Sequence, residues 1–331
     1  MAVWTTNVII RATLPHMTTS YRALSALKHN CLACGGSCHG VRVSLLDDDE
    51  RQRIAQYGET LKVKDPIDGR HLRQQDGHCV FQGDDGLCRI HATWGLMAKP
   101  LVCRQYPLIG VRTESGVRIG IDPGCYTAYK TRNSGTDQQP GEDFSTLSQS
   151  IDEQFIPVER GVLGLLSRPG IDIGLLFRAL LGSGPGEGLP EGLASRWVRH
   201  LQTAGIDTCL AQEDAGKALR NALQPLLTTL PQWSGDEPPP WNALGAEENA
   251  WAVEVARRMI WLRLMPRWPS ADVVCILVFL GAITQHWCGL QGEDFGRALS
   301  AWTRALRAPA FMRALAPAPE SLLSVIQPPN A

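Results

Sequence analysis

Apolar side chains recur at intervals of three and four residues through most of the chain after residue 158. This spacing places them on one face of an α-helix, so the segment is predicted to form an all-α bundle. Two stretches rich in glycine or proline, Gly182–Gly188 and Ser234–Pro240, interrupt the pattern and are predicted to be loops. The predicted helices are Val158–Leu166, Ile171–Leu181, Glu191–Ala204, Thr208–Leu230, Ala246–Leu264, Ala271–Cys288 and Glu293–Leu306.

The residues before this bundle carry shorter apolar stretches that are separated by turn-forming residues. Leu46–Tyr57 is predicted to be a helix, because acidic residues stand at its start and Gly58 can end it. Two β-hairpins are predicted, with turns at Asp85–Gly86 and at Glu114–Gly116. The strands of the first hairpin are His78–Gln82 and Leu87–His91, and those of the second are Ile109–Arg112 and Val117–Ile121.

A polar segment, Arg132–Glu142, separates the two kinds of sequence and is predicted to be a linker. The expected organisation is a small cysteine-rich α/β domain at residues 28–130, a linker at 131–145 and an α-helical domain at 146–331. The expected fold class is therefore mainly α, with the small domain packed on the helical bundle.

Composition and charge exclude several classes of protein. A chain of 331 residues that is 44% hydrophobic can bury a core and is not a disordered chain. Its formal net charge of −1 argues against nucleic acid as a partner. Five of the tryptophans of the helical part are expected in or beside the core rather than in a stacking platform for a ligand. They are Trp251, Trp261, Trp268, Trp287 and Trp302.

The N-terminal region predicts neither export nor a membrane anchor. Its apolar stretches are interrupted by Arg11 and Pro15, unlike those of a signal peptide, and Met17 is an alternative start. The longest apolar stretch, Val273–Ile283, is shorter than the roughly 18 residues that a membrane-spanning helix needs. We therefore expect a cytoplasmic protein without membrane contact, whose thiols stay reduced.

The distribution of cysteine is the most informative feature of the composition. Seven of the ten cysteines lie among the first 125 residues, and clustered reduced cysteines more often bind metal than form disulfides. The run CLACGGSC places Cys31, Cys34 and Cys38 on one loop, where two glycines allow the backbone to fold closely around an ion. The other four candidate metal ligands are Cys79, Cys88, Cys103 and Cys125.

Spacing alone does not identify the metal. Four thiolates suit zinc, and thiolates also hold iron–sulfur clusters, although the run differs from the C-x2-C-x2-C-x3-C-P of ferredoxins. Seven thiols exceed one tetrahedral site, so they could form one complete and one incomplete site, or one cluster with accessory cysteines. The remaining cysteines each stand alone in a helical pattern and are expected to be small core side chains. They are Cys209, Cys275 and Cys288.

Arginines supply the other candidate binding features. Arg104 adjoins Cys103, where it could bind a cofactor by stabilising a thiolate or the negative charge of a cluster, or could form an ion pair that supports the fold. A second group follows one predicted helix and its end, and it is either a solvated face or a dock for an acidic partner or an anionic cofactor. Its members are Arg257, Arg258, Arg263 and Arg267.

Three motifs together resemble a known family. The cysteine loop is followed by GHCVFQGDDGLCRIH and KPLVCRQYPL, and then by Cys125. This combination resembles the YkgJ-type cysteine-cluster family, which is described as a zinc- or iron-chelating domain, over about residues 28–130. One departure is His39, which stands where the commonest form of the family has a second adjacent cysteine.

Together with a helical second part, the pattern resembles the flagellin lysine N-methylase branch of that family. The resemblance implies an iron–sulfur cluster, 4Fe–4S rather than zinc. It also implies methyl transfer from S-adenosylmethionine to a lysine of a protein or peptide substrate. The alternatives are a non-enzymatic zinc- or iron-binding module for protein interaction, and an iron–sulfur enzyme that modifies a peptide. No catalytic residue and no oligomeric state follow from the sequence.

Overall fold

A five-stranded mixed sheet is the main β structure of the chain. The computed structural model describes residues 8–14, 17–36, 43–149, 151–181, 192–212, 219–233, 244–265, 270–315, 322 and 325. Within these residues the strand order of the sheet is β1-β2-β9-β8-β11. The strands are β1 Val8–Leu14, β2 Met17–Ala23, β3 Lys28–His29, β4 Ile67–Asp68, β5 His71–Leu72, β6 Gln74–Gln75, β7 His78–Cys79, β8 Leu108–Thr113, β9 Gly116–Ile121, β10 Thr136–Asp137 and β11 Thr146–Ser148.

The centre of the sheet is the hairpin of β8 and β9, which confirms the second predicted hairpin. Leu108 pairs with Ile121 at its open end, and Thr113 pairs with Gly116 beside the turn. The outer pairings were not predicted. β2 lies parallel to β9, and β11 lies parallel to β8, so both join strands that are distant in sequence.

The first predicted hairpin is only partly correct. The turn at residues 83–86 is present, because the Gly86 amide donates to the Gly83 carbonyl over 2.9 Å. However, β7 pairs with β6, and the residues after the turn form a helix from Arg89 to Trp94 rather than a strand. A single bridge between Gln82 and Cys88 is all that remains of the predicted pairing in this part of the structure.

The predicted helix after residue 46 is confirmed with different ends. It runs from Asp48 to Leu61, and the Asp47 side chain caps it by accepting from the Glu50 amide. Gly58 lies inside the helix and does not end it. A Cβ at Gly58 would stand 2.7 Å from Pro66, so this glycine permits close packing of the following loop.

Helices form most of the chain after residue 155, as the apolar pattern predicts, and the mainly α fold class is confirmed. Within the segment predicted as one helix, Thr208–Leu230, residues up to Gln212 and from 224 to 229 are helical, and residues 213–218 lie outside the described part of the chain. Both predicted loops, at 182–188 and 234–240, lie outside the described residues. The helices are α1 Asp48–Leu61, α2 Arg89–Trp94, α3 Leu101–Gln105, α4 Ala128–Thr131, α5 Ile156–Leu166, α6 Ile173–Leu180, α7 Leu193–Thr203, α8 Ile206–Gln212, α9 Gln224–Thr229, α10 Ala246–Trp261, α11 Ala271–Trp287, α12 Gly292–Ala305 and α13 Pro309–Leu315.

One hydrophobic core is shared by the sheet and the helices. Strand residues such as Val111 and Ile119 belong to the same buried cluster as Trp251 and Trp302. The indole nitrogen of Trp261 donates to the Ile119 carbonyl over 3.1 Å. Three of the five tryptophans are thus buried as expected, Trp287 is partly buried, and Trp268 lies outside the described residues.

A second, smaller core lies under α1 and belongs to the cysteine-rich part. Its fully buried side chains are Val43, Leu45, Ile54, Leu72, Phe81 and Ile90. Strand β10 belongs to the predicted linker and pairs with β3, at the start of the cysteine-rich part. The proposed division at residues 130 and 146 stays a prediction.

Buried ion pairs correct the interpretation of the arginine group on the tenth helix. Arg258 and Arg263 are only 6% and 5% exposed, so they form neither a solvated face nor a docking surface. Arg258 pairs with Glu254 over 2.8 Å, and Arg263 pairs with Glu159 over 2.9 Å. Arg257 also pairs with Glu254, and Arg267 lies outside the described residues.

No helix in the described parts of the chain is both long and apolar enough to cross a membrane.

Candidate metal centre

Three of the predicted ligands line one small cavity. Cys79 stands at the end of β7, Cys88 caps the start of α2, and Cys103 lies in α3. The cavity has a volume of about 60 Å³. Its other lining residues are mostly apolar: Val43, Leu72, Gln74, Phe81, Ile90, Lys99, Pro100, Val102 and Tyr106. The fold therefore brings three thiols from separate segments to a site of low polarity.

The turn between Cys79 and Cys88 sets their relative position. The Gly83 amide donates to the Leu87 carbonyl over 2.8 Å, and the Arg89 amide donates to the Phe81 carbonyl over 2.8 Å. These bonds return the chain so that Gln82 faces Cys88 across an antiparallel bridge. The predicted turn thus places the two cysteines together, although the residues after it form a helix and not the predicted strand.

The cysteine loop is exposed and tightly turned. Cys31 and Cys34 are both exposed, and Ala33 and Gly35 have left-handed backbone angles, with φ of 51° and 67°. The Gly36 amide donates to the Cys34 sulfur over 3.4 Å. A cysteine binds metal through its sulfur, so this bond helps to fix the position of a candidate ligand atom. Cys38, the third cysteine of the loop, lies outside the described residues.

Gln82 connects this loop to the turn beside the cavity. Its side-chain amide donates to the Gly86 carbonyl over 2.6 Å and to the Gly35 carbonyl over 3.4 Å. A Cβ at Gly35 would stand 2.5 Å from the Gly86 oxygen, so only glycine allows this approach. The loop cysteines and the Cys79–Cys88 turn are therefore held against each other.

Cys125 occupies a different, buried environment. It is 3% exposed, and its sulfur lies 3.4 Å from both His29 Nε2 and Thr127 Oγ1. Burial raises the pKa of the Cys125 thiol, and hydrogen bonds with Thr127 oppose this increase. Burial and the nearby Arg258 lower the pKa of His29 to about 4. His29 was not among the predicted ligands, although its position two residues before Cys31 is a signal that could have identified it.

Arg104 faces away from the cavity that contains Cys103. Its guanidinium pairs with Asp143 over 2.7 Å, in a groove of about 580 Å³ on the other side of α3. Leu101 and Gln105 line this groove with it. Arg104 thus forms an ion pair with Asp143. A role of Arg104 in cofactor binding stays a prediction.

The three cysteines of the helical part lie apart from these sites. Cys275 is 1% exposed, and burial raises its thiol pKa well above the ordinary value. Cys288 is partly buried, and burial raises its pKa to about 11. Cys209 is half-buried. No disulfide joins the nine cysteines that the structure describes.

The donor set fits a thiophilic metal. Cysteine thiolates select zinc, copper(I) and iron–sulfur clusters rather than magnesium or calcium. Among the described residues, no three histidine, cysteine, aspartate or glutamate side chains are arranged as one metal ion requires. Cys79, Cys88 and Cys103 share one cavity without forming such a group.

Comparison with known proteins identifies the cysteine-rich segment. Residues 30–132 match the family model CxxCxxCC, described as "Putative zinc- or iron-chelating domain". The match spans about a third of the chain and includes all seven candidate ligands, which confirms the resemblance to the cysteine-cluster family. No curated protein and no solved structure matches the chain.

Proposed function

We propose that residues 30–132 bind an iron–sulfur cluster through Cys79, Cys88, Cys103 and a cysteine of the loop at residues 31–38. The observation that carries this proposal is the shared cavity, to which the two sides of one turn and helix α3 each contribute one thiol. The loop is the source of the fourth ligand, because Gln82 ties it to the Cys79–Cys88 turn.

The choice of a cluster over a single zinc ion comes from the resemblance to the methylase branch, which implies 4Fe–4S. The number of thiols is consistent with it, because the seven cysteines of the segment exceed the four that one zinc ion takes. In a cluster each thiolate binds a different iron atom.

The surroundings of the cavity support the same assignment. Apolar side chains such as Phe81 and Ile90 form its wall, and a shielded environment tunes the potential of a cluster. When bound, a cluster would supply electron transfer or an iron atom with an open coordination position. The exposed loop with Cys31 and Cys34 would form the accessible side of the centre. A cytoplasmic location, where thiols stay reduced, would suit such a centre.

Anaerobic purification followed by metal analysis tests the proposal. We expect iron and acid-labile sulfide, with a broad absorption band near roughly 400 nm from charge transfer in the cluster. Colourless protein with stoichiometric zinc would refute the cluster and would favour the non-enzymatic module for protein interaction.

Two matched variants test the ligand assignment. Cys88→Ala removes one of the three cavity thiols and is expected to abolish metal loading and to destabilise the cysteine-rich part, because a metal site contributes folding free energy. Cys275→Ala removes a buried thiol of the helical part and is expected to leave loading intact. Equal loss of metal in both variants would contradict the assignment.

We further propose that the complete chain transfers methyl groups to protein lysine, as the resemblance to the methylase branch implies. The methyl group would pass from the sulfonium of S-adenosylmethionine to a lysine amine. The amine loses a proton in this step, and the donor becomes S-adenosylhomocysteine. The groove beside α3 supports a peptide substrate, since it combines the apolar Leu96 and Met97 with the carboxylates of Glu142 and Asp143.

Radiolabelled S-adenosylmethionine tests this second proposal. The cluster-loaded protein is expected to bind it and to transfer label to lysine in a protein substrate such as flagellin. If the loaded protein neither binds the donor nor transfers label to any candidate substrate, the methyltransferase proposal fails and the cluster proposal stands.

A further inference from the structure

We infer that Arg304 is a positioning residue of the metal centre, although it lies on α12, far outside the matched segment. In this role its side chain fixes the backbone of the cysteine loop and places a buried positive charge beside the thiolates. The inference rests on the proposed cluster, and it assigns to the helical part of the chain a direct share in holding that cluster.

The contacts of Arg304 converge on the cysteine-rich part. Its Nη1 donates to the Gly36 carbonyl over 2.7 Å, and its Nη2 donates to the Tyr106 hydroxyl over 3.2 Å. The guanidinium also lies over the ring of Tyr126, 4.4 Å from the ring centre. Arg304 is only 6% exposed, so this geometry is enclosed by protein.

Each of these contacts belongs to a different cysteine segment. Gly36 follows Cys34 by two residues, and its own amide donates to the Cys34 sulfur. Tyr106 follows Cys103 by three residues and lines the cavity of the three thiols. Tyr126 directly follows Cys125. One side chain of the helical part therefore joins three segments that carry candidate ligands.

Glycine at position 36 is required by the same arrangement. A Cβ there would stand 2.3 Å from the Tyr126 ring, which is closer than side chains can approach. Gly36 thus lies against both the Tyr126 ring and the Arg304 guanidinium. Because Gly36 both donates to the Cys34 sulfur and accepts from Arg304, a displacement of the guanidinium would be transmitted to that sulfur.

The charge of Arg304 suits a group of thiolates. A guanidinium is protonated at all accessible pH values. Asp122 supplies a carboxylate nearby, but Arg307 already binds both of its oxygens, over 2.7 and 3.0 Å. Arg304 adds positive charge to this region, and a buried positive charge stabilises anionic thiolates and an anionic cluster. Removing it should make reduction of the cluster less favourable.

The test compares anaerobically purified wild type with Arg304→Lys, Arg304→Gln and the control Arg257→Gln. Arg257 serves as the control, because it is a partly buried arginine that pairs with Glu254 on its own helix over 3.1 Å. Two quantities are measured: iron and sulfide per chain, and the midpoint potential of the cluster in a redox titration. A purely structural role of Arg304 would not move the potential.

We expect Arg304→Gln to lower the iron content at least twofold and to shift the potential of the remaining cluster to more negative values. Arg304→Lys should keep the potential near that of wild type, because it keeps the charge, while it loads less iron. Arg257→Gln should change neither quantity. If Arg304→Gln does not fold, Tyr106→Phe removes one anchor of the guanidinium and should shift the potential in the same direction, but less.

If wild type contains a cluster and Arg304→Gln has the same iron content and the same midpoint potential, the inference is overturned and the proposed function stands. If Arg304→Gln does not fold, an unchanged potential in Tyr106→Phe has the same meaning. Wild-type protein without iron would instead refute the proposed function, and the inference would fail with it.

Discussion

The buried carboxylate of Glu159 is the centre of a charge network that joins the sheet to the helices. It accepts from Arg118 of β9 over 2.7 Å and from Arg263, just after α10, over 2.9 Å. Glu159 and Arg263 are 3% and 5% exposed, and Arg118 is 6% exposed. We predict that Glu159→Gln, which keeps the shape and removes the charge, strongly destabilises the fold.

The magnitude follows from what the two arginines retain. Removing one partner from a buried ion pair typically costs 3–5 kcal/mol, because the other charge stays buried without compensation. Arg263 keeps two bonds to Glu114, of 2.6 and 2.7 Å, and Arg118 keeps its position over the Trp261 ring. We therefore expect the lower end of that range, about 3 kcal/mol.

Urea unfolding at neutral pH, followed by tryptophan fluorescence, measures the effect. The control is Glu293→Gln, since Glu293 pairs with Lys130 over 2.8 Å but both side chains are more than half exposed. An exposed pair contributes below about 1 kcal/mol, so the control should unfold close to wild type. If Glu159→Gln and Glu293→Gln lose the same free energy of unfolding, the buried network does not stabilise the fold as predicted.

Three further predictions concern the loop, the thiols and the response to acid. Gly36→Ala should displace the cysteine loop from the Tyr126 ring and lower the metal content of the protein. Gly164→Ala, which has open space at its Cβ, should leave the metal content unchanged, and metal analysis of both variants measures the difference. In metal-free native protein, iodoacetamide should modify the exposed Cys34 within minutes and leave the buried Cys275 unmodified, as peptide mass spectrometry can verify. Burial would raise the pKa of Glu254, but its two arginine partners outweigh burial and hold that pKa below the ordinary value. Its contribution to stability is therefore present above the ordinary carboxyl pKa and is lost as the pH falls through the lowered value. Wild type should lose more unfolding free energy between pH 7 and pH 4 than Glu254→Gln does, and equal losses would contradict this.

The sequence predicts those parts of the fold that depend on local patterns. The apolar run of α11 and the turn between β8 and β9 are visible in neighbouring residues, and both are found. The parallel pairing of β2 with β9 depends on contacts across about 95 positions, for which no local pattern exists. The strand predicted at Leu87–His91 fails for a related reason, because a short apolar stretch fits a strand and a helix equally well.

The candidate site shows the same limit. The turn at residues 83–86 brings Cys79 and Cys88 together as the sequence predicts. Cys103 joins them only through the position of α3, and Cys125 lies instead against His29. Motif spacing identifies which thiols are candidates, whereas tertiary packing decides which of them share a cavity.

The boundaries of the matched segment do not coincide with a physical boundary of the protein. β8 and β9 lie inside residues 30–132, but their neighbours in the sheet, β2 and β11, lie on either side of it. A side chain of α10 and a side chain of α12 complete the same region, through the bond of Trp261 to Ile119 and that of Arg304 to Gly36. The segment alone would expose two strand edges and lose the bond of Arg304 to the cysteine loop. The helical part therefore contributes to the structure of the matched segment.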